Sequence, residues 1–122
     1  MKLLILDDAD AVRLRLVDAL GEIEGLAVSS CAPSAGGVLQ RIADLKPDVV
    51  LIDISMLDGA LSLVREVKSA FHAPIVIALS GSSSIQYRAA CHIAGAEYFF
   101  DKDREQPRLA EALIELQHDL CR

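Results

Sequence analysis

The stretch Val49-Val50-Leu51-Ile52-Asp53 places a carboxylate directly after the most apolar run in the chain. A run this rich in β-branched residues, without alternating polar positions, is typical of a central parallel strand that is covered on both faces. In open parallel sheets, the carboxyl end of such a strand lies at the edge where ligands bind. An aspartate at this position can take part in chemistry, or it can simply cap the turn that follows. The stretch alone leaves both explanations open.

Similar short apolar runs recur on both sides of this stretch and alternate with segments of helical period. The predicted strands cover residues 3–6, 26–30, 49–54, 75–79 and 97–100. The helical segments between and after them carry apolar stripes: Val12, Leu16, Leu20 and Ile23; Val38, Leu39, Ile42 and Leu45; Leu63, Val64, Val67 and Phe71; Ile85, Ala89 and Ile93; and Leu109, Leu113, Leu116 and Leu120. Five β/α units predict an α/β fold with a doubly wound parallel sheet and right-handed crossovers. Gly36 and Gly37 are expected to weaken the second helix.

Length and composition limit the kind of protein to which such a sheet can belong. A chain of 122 residues is expected to form one domain over residues 1–122. Its apolar runs are of strand length and its start lacks a signal-peptide core, so we expect a cytoplasmic protein without a membrane span. The net charge of −6, with twelve dispersed Lys and Arg residues, disfavours direct binding to nucleic acid or to acidic lipid surfaces.

The cysteines and histidines do not form a pattern that suggests a site. No two of them have the spacing of a zinc site, and the thiols are expected to be reduced. They occur as single, scattered residues, namely Cys31, Cys91, Cys121, His72, His92 and His118.

Polar side chains lie at or just beyond the ends of four of the five predicted strands. Asp7 and Asp8 follow the first strand, Asp53 ends the third, Ser80 follows the fourth and Lys102 follows the fifth. Each residue alone has an ordinary explanation as a helix cap, a turn residue or a solvated charge. Together, at one edge of a sheet, three carboxylates would repel one another unless a cation lay between them. Ligands that are all oxygen atoms suit Mg²⁺.

This group of residues is chemically suited to phosphoryl transfer. Asp53 can act as a nucleophile toward a phosphoryl group, which is a known use of aspartate carboxylates. Lys102 can place a positive charge on the phosphoryl oxygens, and the Ser80 hydroxyl can donate a hydrogen bond to the same group.

The acidic pair Asp7-Asp8, with Asp53, Ser80 and Lys102, resembles the receiver domain of two-component response regulators over nearly the whole chain. The resemblance implies a flavodoxin-like (βα)5 sheet with strand order 2-1-3-4-5. It also implies that Asp53 accepts a phosphoryl group from a histidine kinase or phosphotransfer protein, and that Lys102 and Ser80 contact that group. The implied ligands of Mg²⁺ are Asp7, Asp8, Asp53 and the backbone at Ser55. Such a domain is a phosphorelay component and not an enzyme.

The resemblance further implies which residues respond to phosphorylation. Ser80 would move toward the phosphoryl group, and Phe99 would change rotamer, although an aromatic residue in a strand can equally just fill the core. Ser55 and Ser82 match positions that tune hydrolysis of the acyl phosphate in this family. Residues 83–121 would carry the output, either by forming a homodimer or by binding a downstream protein.

Two features depart from the family pattern. Leu57 replaces the usual proline, and Gly59 comes two residues early, so the loop after Asp53 is short. In addition, Lys102 precedes Asp103 instead of a proline, which predicts a trans peptide bond.

Two other interpretations remain open from the sequence. Asp8-Ala9-Asp10 matches the Asp-x-Asp nucleophile motif of haloacid-dehalogenase-like phosphatases. Against this, no second acidic pair completes the metal site of those enzymes, and Asp53 would have no role. The other interpretation is a degenerate receiver, which binds proteins without being phosphorylated.

Overall fold

The computed structural model describes residues 1–33, 36–54, 59–81, 85–101 and 106–120, in which five strands alternate with five helices. The strands are β1 (Lys2–Leu6), β2 (Ala27–Cys31), β3 (Val49–Asp53), β4 (Ile75–Ser80) and β5 (Tyr98–Asp101). The helices are α1 (Asp10–Leu20), α2 (Val38–Leu45), α3 (Ala60–Lys68), α4 (Ile85–Ala94) and α5 (Gln106–Leu120). All neighbouring strands pair in parallel, in the order β2-β1-β3-β4-β5, which confirms the predicted fold. Within the same ranges, no helix combines the length and the apolar composition that a membrane span requires.

Strand β3 forms the centre of the sheet, and every one of its residues is buried. Val50 and Ile52 pack into a first core with residues of α2, α3 and α4. Val49 and Leu51 pack into a second core with residues of α1 and α5. Burial on both faces explains why this run of the sequence lacks polar alternation.

The predicted strand boundaries agree with the structure to within one residue at each end. The small differences matter mainly at the carboxyl ends. Strand β2 extends to Cys31 and β5 extends to Asp101, one residue beyond the predicted ends. An acidic residue therefore ends β5 as well as β3.

The predicted apolar stripe of α4 is wrong at its two described positions. Ala89 is exposed and Ile93 is 82% exposed, while the side chain of Ile85 lies outside the described part of the chain. The face that packs on the sheet instead contains Cys91 and Ala94, with Tyr87 partly buried beside them. Small side chains on the inner face carry a weak hydrophobic signal, so the predicted stripe followed the larger side chain of Ile93 instead.

The other predicted stripes face the cores except at three positions. Leu39 of α2, Phe71 after α3 and Leu120 at the end of α5 are exposed. Gly36 and Gly37 precede α2 and do not lie within it, and the lower stability expected for this helix stays a prediction. Gly37 has a φ angle of 72° and is the N-cap of α2, a left-handed conformation that glycine adopts without steric cost.

The thiols of Cys31 and Cys91 are free, and Cys91 is buried. Burial raises the pKa of both thiols above the usual value, and the charges of Arg41 and Arg13 offset this only in part at Cys31. A raised pKa keeps both groups protonated and weakly nucleophilic at neutral pH. Cys121 lies outside the described residues.

We expect Leu113→Ala to lower the free energy of unfolding by about 2–5 kcal/mol, because Leu113 is fully buried in the second core. Leu14→Ala is the matched control, since Leu14 is an exposed leucine in a helix, and it should change stability by less than about 0.5 kcal/mol. Urea denaturation of both variants measures the difference. Similar losses for the two leucines would contradict the assignment of the core.

Candidate functional site

Two buried carboxylates lie on neighbouring strands at the carboxyl end of the sheet. Strands β1 and β3 pair with Leu6 opposite Ile52, so Asp7 and Asp53 each follow one residue later. Adjacent strands are about 4.8 Å apart, which sets the scale of the separation between the two backbones. Asp7 is 0% exposed and Asp53 is 1% exposed. The structure thus brings together two of the residues that the sequence selected.

The loop between β1 and α1 holds Asp7 through hydrogen bonds to its side chain and its backbone. The backbone N–H of Ala9 donates to Oδ1 of Asp7 at 2.8 Å. Nη1 of Arg13 donates to the backbone carbonyl of Asp7 at 2.7 Å, and the same guanidinium pairs with Asp10. Arg13 therefore fixes the backbone beside a buried carboxylate. This role could not be predicted from the sequence, because an arginine on a polar helix face gives no distinctive signal.

Helix capping does not account for the acidic residues at this edge. The N-cap of α1 is Ala9, and it makes no side-chain capping hydrogen bond. Asp10 is the first helical residue, while Asp8 is half-buried in the loop before it. The helix that follows Asp53 has Gly59 as its N-cap, in a left-handed conformation with a φ angle of 75°. Neither Asp8 nor Asp53 is thus the N-cap of the helix that follows it.

Ser80 and Asp101 extend the same edge on β4 and β5. They are opposite each other in the parallel register, and both are buried. Asp101 was missed in the sequence because the predicted fifth strand stopped one residue before it. The other predicted site and loop residues lie outside the described part of the chain: Ser55, Met56, Leu57, Asp58, Ser82, Lys102 and Asp103.

The described carboxylates form part of a donor set for a hard divalent cation. Two buried aspartates and the half-buried Asp8 supply oxygen atoms alone, which suits Mg²⁺ better than a softer metal. Among the residues that the structure describes, however, no group of three or more His, Cys, Asp or Glu side chains is arranged to hold a metal ion. A magnesium ion here would need backbone carbonyl or water ligands beside Asp7 and Asp53, as is common for this ion.

Phe99 is buried in the first core and lies against α4. The guanidinium carbon of Arg88 lies 4.6 Å from the centre of the Phe99 ring, and Nη1 of Arg88 donates to the Phe99 carbonyl at 3.1 Å. Its neighbours Tyr98 and Phe100 stack on each other, with ring centres 6.0 Å apart, and pack against the second core. The inward position fits the core-filling explanation, and a change of rotamer stays a prediction.

Comparison with known proteins identifies the family to which the chain belongs. The family model for the response regulator receiver domain matches residues 3–114. The chain therefore belongs to the response regulator receiver domain family. Response regulator receiver domains are signalling modules of two-component systems. The family is therefore consistent with the phosphorelay function expected from the sequence.

Two curated relatives show the extent of the similarity. The response regulator GacA of Pseudomonas syringae pv. syringae is 30% identical over 114 residues, which cover 93% of this chain and 53% of that protein. The DNA-binding transcriptional activator DevR/DosR of Mycobacterium tuberculosis is also 30% identical, with 93% of this chain and 52% of that protein covered. The chain spans about half the length of these relatives.

Solved structures show the same fold. The signal receiver domain of a DNA-binding response regulator from Colwellia psychrerythraea 34H has a TM-score of 0.83 and 25% identity, covering 97% of this chain and 98% of that chain. The isolated receiver domain of RcsB from Salmonella enterica serovar Typhimurium, in the presence of phosphomimetic BeF3⁻, has a TM-score of 0.83 and 22% identity, covering 97% and 88%.

We expect Mg²⁺ to raise the free energy of unfolding, because a cation bound between Asp7 and Asp53 would relieve the repulsion of two buried charges. At ten times its dissociation constant the gain is about 1.4 kcal/mol. Asp53→Asn should abolish this gain, whereas Asp18→Asn, at an exposed aspartate of α1, should retain it. Thermal unfolding with and without Mg²⁺ measures the effect. An equal gain in both variants would place the ion elsewhere.

Proposed function

We propose that this domain accepts a phosphoryl group on Asp53 from a histidine kinase or phosphotransfer protein, in a reaction that requires Mg²⁺. The observation that carries the proposal is the buried carboxylate of Asp53 beside that of Asp7, at the carboxyl edge of a receiver-type sheet. Burial of a carboxylate beside a second one is unfavourable and is typical of a functional site. The family membership of the chain supports the same reaction.

The proposed step is a displacement at phosphorus. A carboxylate oxygen of Asp53 attacks the phosphohistidine of the donor, so that a P–O bond forms and the P–N bond breaks. The electron pair of the P–N bond returns to the imidazole nitrogen, which takes up a proton. The product is an acyl phosphate, which water later hydrolyses to restore the carboxylate.

Other residues of the edge would bind and orient the phosphoryl group. Asp7, Asp8, Asp53 and the backbone at Ser55 would hold Mg²⁺, which when bound neutralises charge on the phosphoryl oxygens. The buried hydroxyl of Ser80 would donate a hydrogen bond to the group.

Further proposed roles belong to residues outside the described part of the chain. Lys102 would place its ammonium group on the phosphoryl oxygens. Ser55 and Ser82 would tune hydrolysis of the acyl phosphate.

The proposed output is a change of the surface formed by α4, β5 and α5. In its described part, this surface carries exposed apolar side chains, including Ile93 of α4 and Ile114 of α5. A downstream protein or a second copy of the chain would bind there once Asp53 is phosphorylated. We propose that the domain acts in the cytoplasm as a signalling component and not as an enzyme.

A phosphatase that uses Asp8 as its nucleophile is less consistent with the structure. A phosphatase with the Asp8-Ala9-Asp10 motif would also need Asp10 to be available for the reaction. Asp10 instead forms an ion pair with Arg13 on the first turn of α1. The buried Asp53 would also have no role. The family match to receiver domains favours Asp53 as the acceptor.

Incubation of the full chain with a small-molecule phosphodonor and Mg²⁺ is expected to add the mass of one phosphoryl group. Asp53→Asn should abolish the addition, because it removes the nucleophilic oxygen. Asp18→Asn, at an exposed position, should be modified as the parent protein is. Intact-mass spectrometry over time measures the uptake and the loss of the group.

The same measurement separates the alternatives. Loss of modification in Asp8→Asn, with modification retained in Asp53→Asn, would support the phosphatase instead. If the parent protein takes up no phosphoryl group while its fold is intact, the receiver is degenerate and acts as a protein-binding module.

A further inference from the structure

Two consecutive side chains of helix α4 contact residues on strand β5 and next to Asp53. The two contacted residues are Phe99 of β5 and Ile54, which follows Asp53. The Tyr87 hydroxyl donates to the backbone carbonyl of Ile54 at 3.4 Å. Arg88, the next residue, donates to the carbonyl of Phe99 and covers its ring. Neither contact is used by the phosphoryl-transfer step proposed above.

The Tyr87 contact lies next to the phosphoacceptor position. Ile54 directly follows Asp53 and is 1% exposed. A buried backbone carbonyl without a hydrogen bond costs free energy, so a donor to the Ile54 carbonyl is stabilising. The ring of Tyr87 packs against the first core while its hydroxyl reaches this carbonyl. The backbone immediately beyond the acceptor is thus attached to α4.

Among its described side chains, the inner face of α4 carries small buried residues. Its buried side chains are the small Cys91 and Ala94, whereas Ile93 faces outward. The polar contacts of Tyr87 and Arg88 add to this packing and help to position the helix. A displacement of Ile54 would therefore be passed to α4 through Tyr87.

We propose that Tyr87 is a positioning residue that couples the backbone after Asp53 to the Arg88–Phe99 contact on the α4–β5 surface. A change at Ile54 moves Tyr87, and Arg88 moves with it because the two residues are adjacent on one helix. The coupling is reciprocal, so a change at Arg88 also alters the position of Ile54. Its use in signalling rests on the proposed phosphorylation of Asp53, but the coupling itself exists without it.

The first test needs no phosphodonor. The substitution Arg88→Met is made in three backgrounds: the parent protein, the Tyr87→Phe variant and the Tyr98→Phe variant. The amide resonance of Ile54 is then followed by NMR of the ¹⁵N-labelled full chain. Tyr98→Phe is the matched control, because it removes a hydroxyl from a tyrosine that packs against the second core. In the parent and in the control, Arg88→Met should shift the Ile54 resonance. In the Tyr87→Phe background the shift should be at least halved. An equal shift in all three backgrounds would overturn the proposal.

The second test adds beryllium trifluoride, the phosphomimetic present in the RcsB receiver structure, together with Mg²⁺. The resulting shifts at the α4 amides of Ala89, His92 and Ile93 should be at least halved by Tyr87→Phe and unchanged by Tyr98→Phe. Full-sized shifts in Tyr87→Phe would contradict the coupling. No response in the parent protein would contradict phosphorylation of Asp53 and leave the result of the first test standing.

Discussion

The burial of Asp7 and Asp53 on adjacent strands is the constraint on which the functional edge of the sheet depends. Two like charges side by side in a protein interior repel each other, and each also loses its hydration on burial. The Ala9 N–H donates to the Asp7 carboxylate and supplies part of the compensation, while Arg13 holds the Asp7 backbone through its carbonyl. A cation would supply more, and a phosphoryl group on Asp53 would need one. The same repulsion thus explains the affinity for Mg²⁺ that we propose and the role of the metal in the reaction.

The second structural theme is the contrast between β3 and α4. Strand β3 is buried on both faces and paired on both edges, so its packing and pairing fix the position of Asp53. Helix α4 covers the sheet with small side chains and is joined to β3 and β5 by polar contacts from Tyr87 and Arg88. A buried acceptor joined by polar contacts to a helix at the surface is an arrangement in which a local change of charge can change that surface.

The sequence predicted the sheet well, because apolar runs of β-branched residues with turn residues between them have few alternative folds. It also selected Asp7, Asp53 and Ser80, whose burial at one edge is now seen. The inner face of α4 could not be predicted, since Cys91 and Ala94 are less hydrophobic than the exposed Ile93. Arg13, Tyr87 and Asp101 were missed for a related reason: their importance comes from long-range contacts or a strand boundary, which hydrophobic period does not encode. The roles given to Lys102, Ser55 and Ser82 still rest on the family pattern.

The central claim is that Asp53 is the residue that accepts the phosphoryl group. The most direct test is to treat the modified protein with borohydride, which reduces the acyl phosphate, releases phosphate and converts the carboxyl group into a hydroxymethyl group, so that aspartate becomes homoserine. Peptide mapping by mass spectrometry then locates the altered residue. The account predicts a single altered position at residue 53. An altered residue at Asp7, Asp8 or Asp101, with Asp53 unchanged, would contradict it.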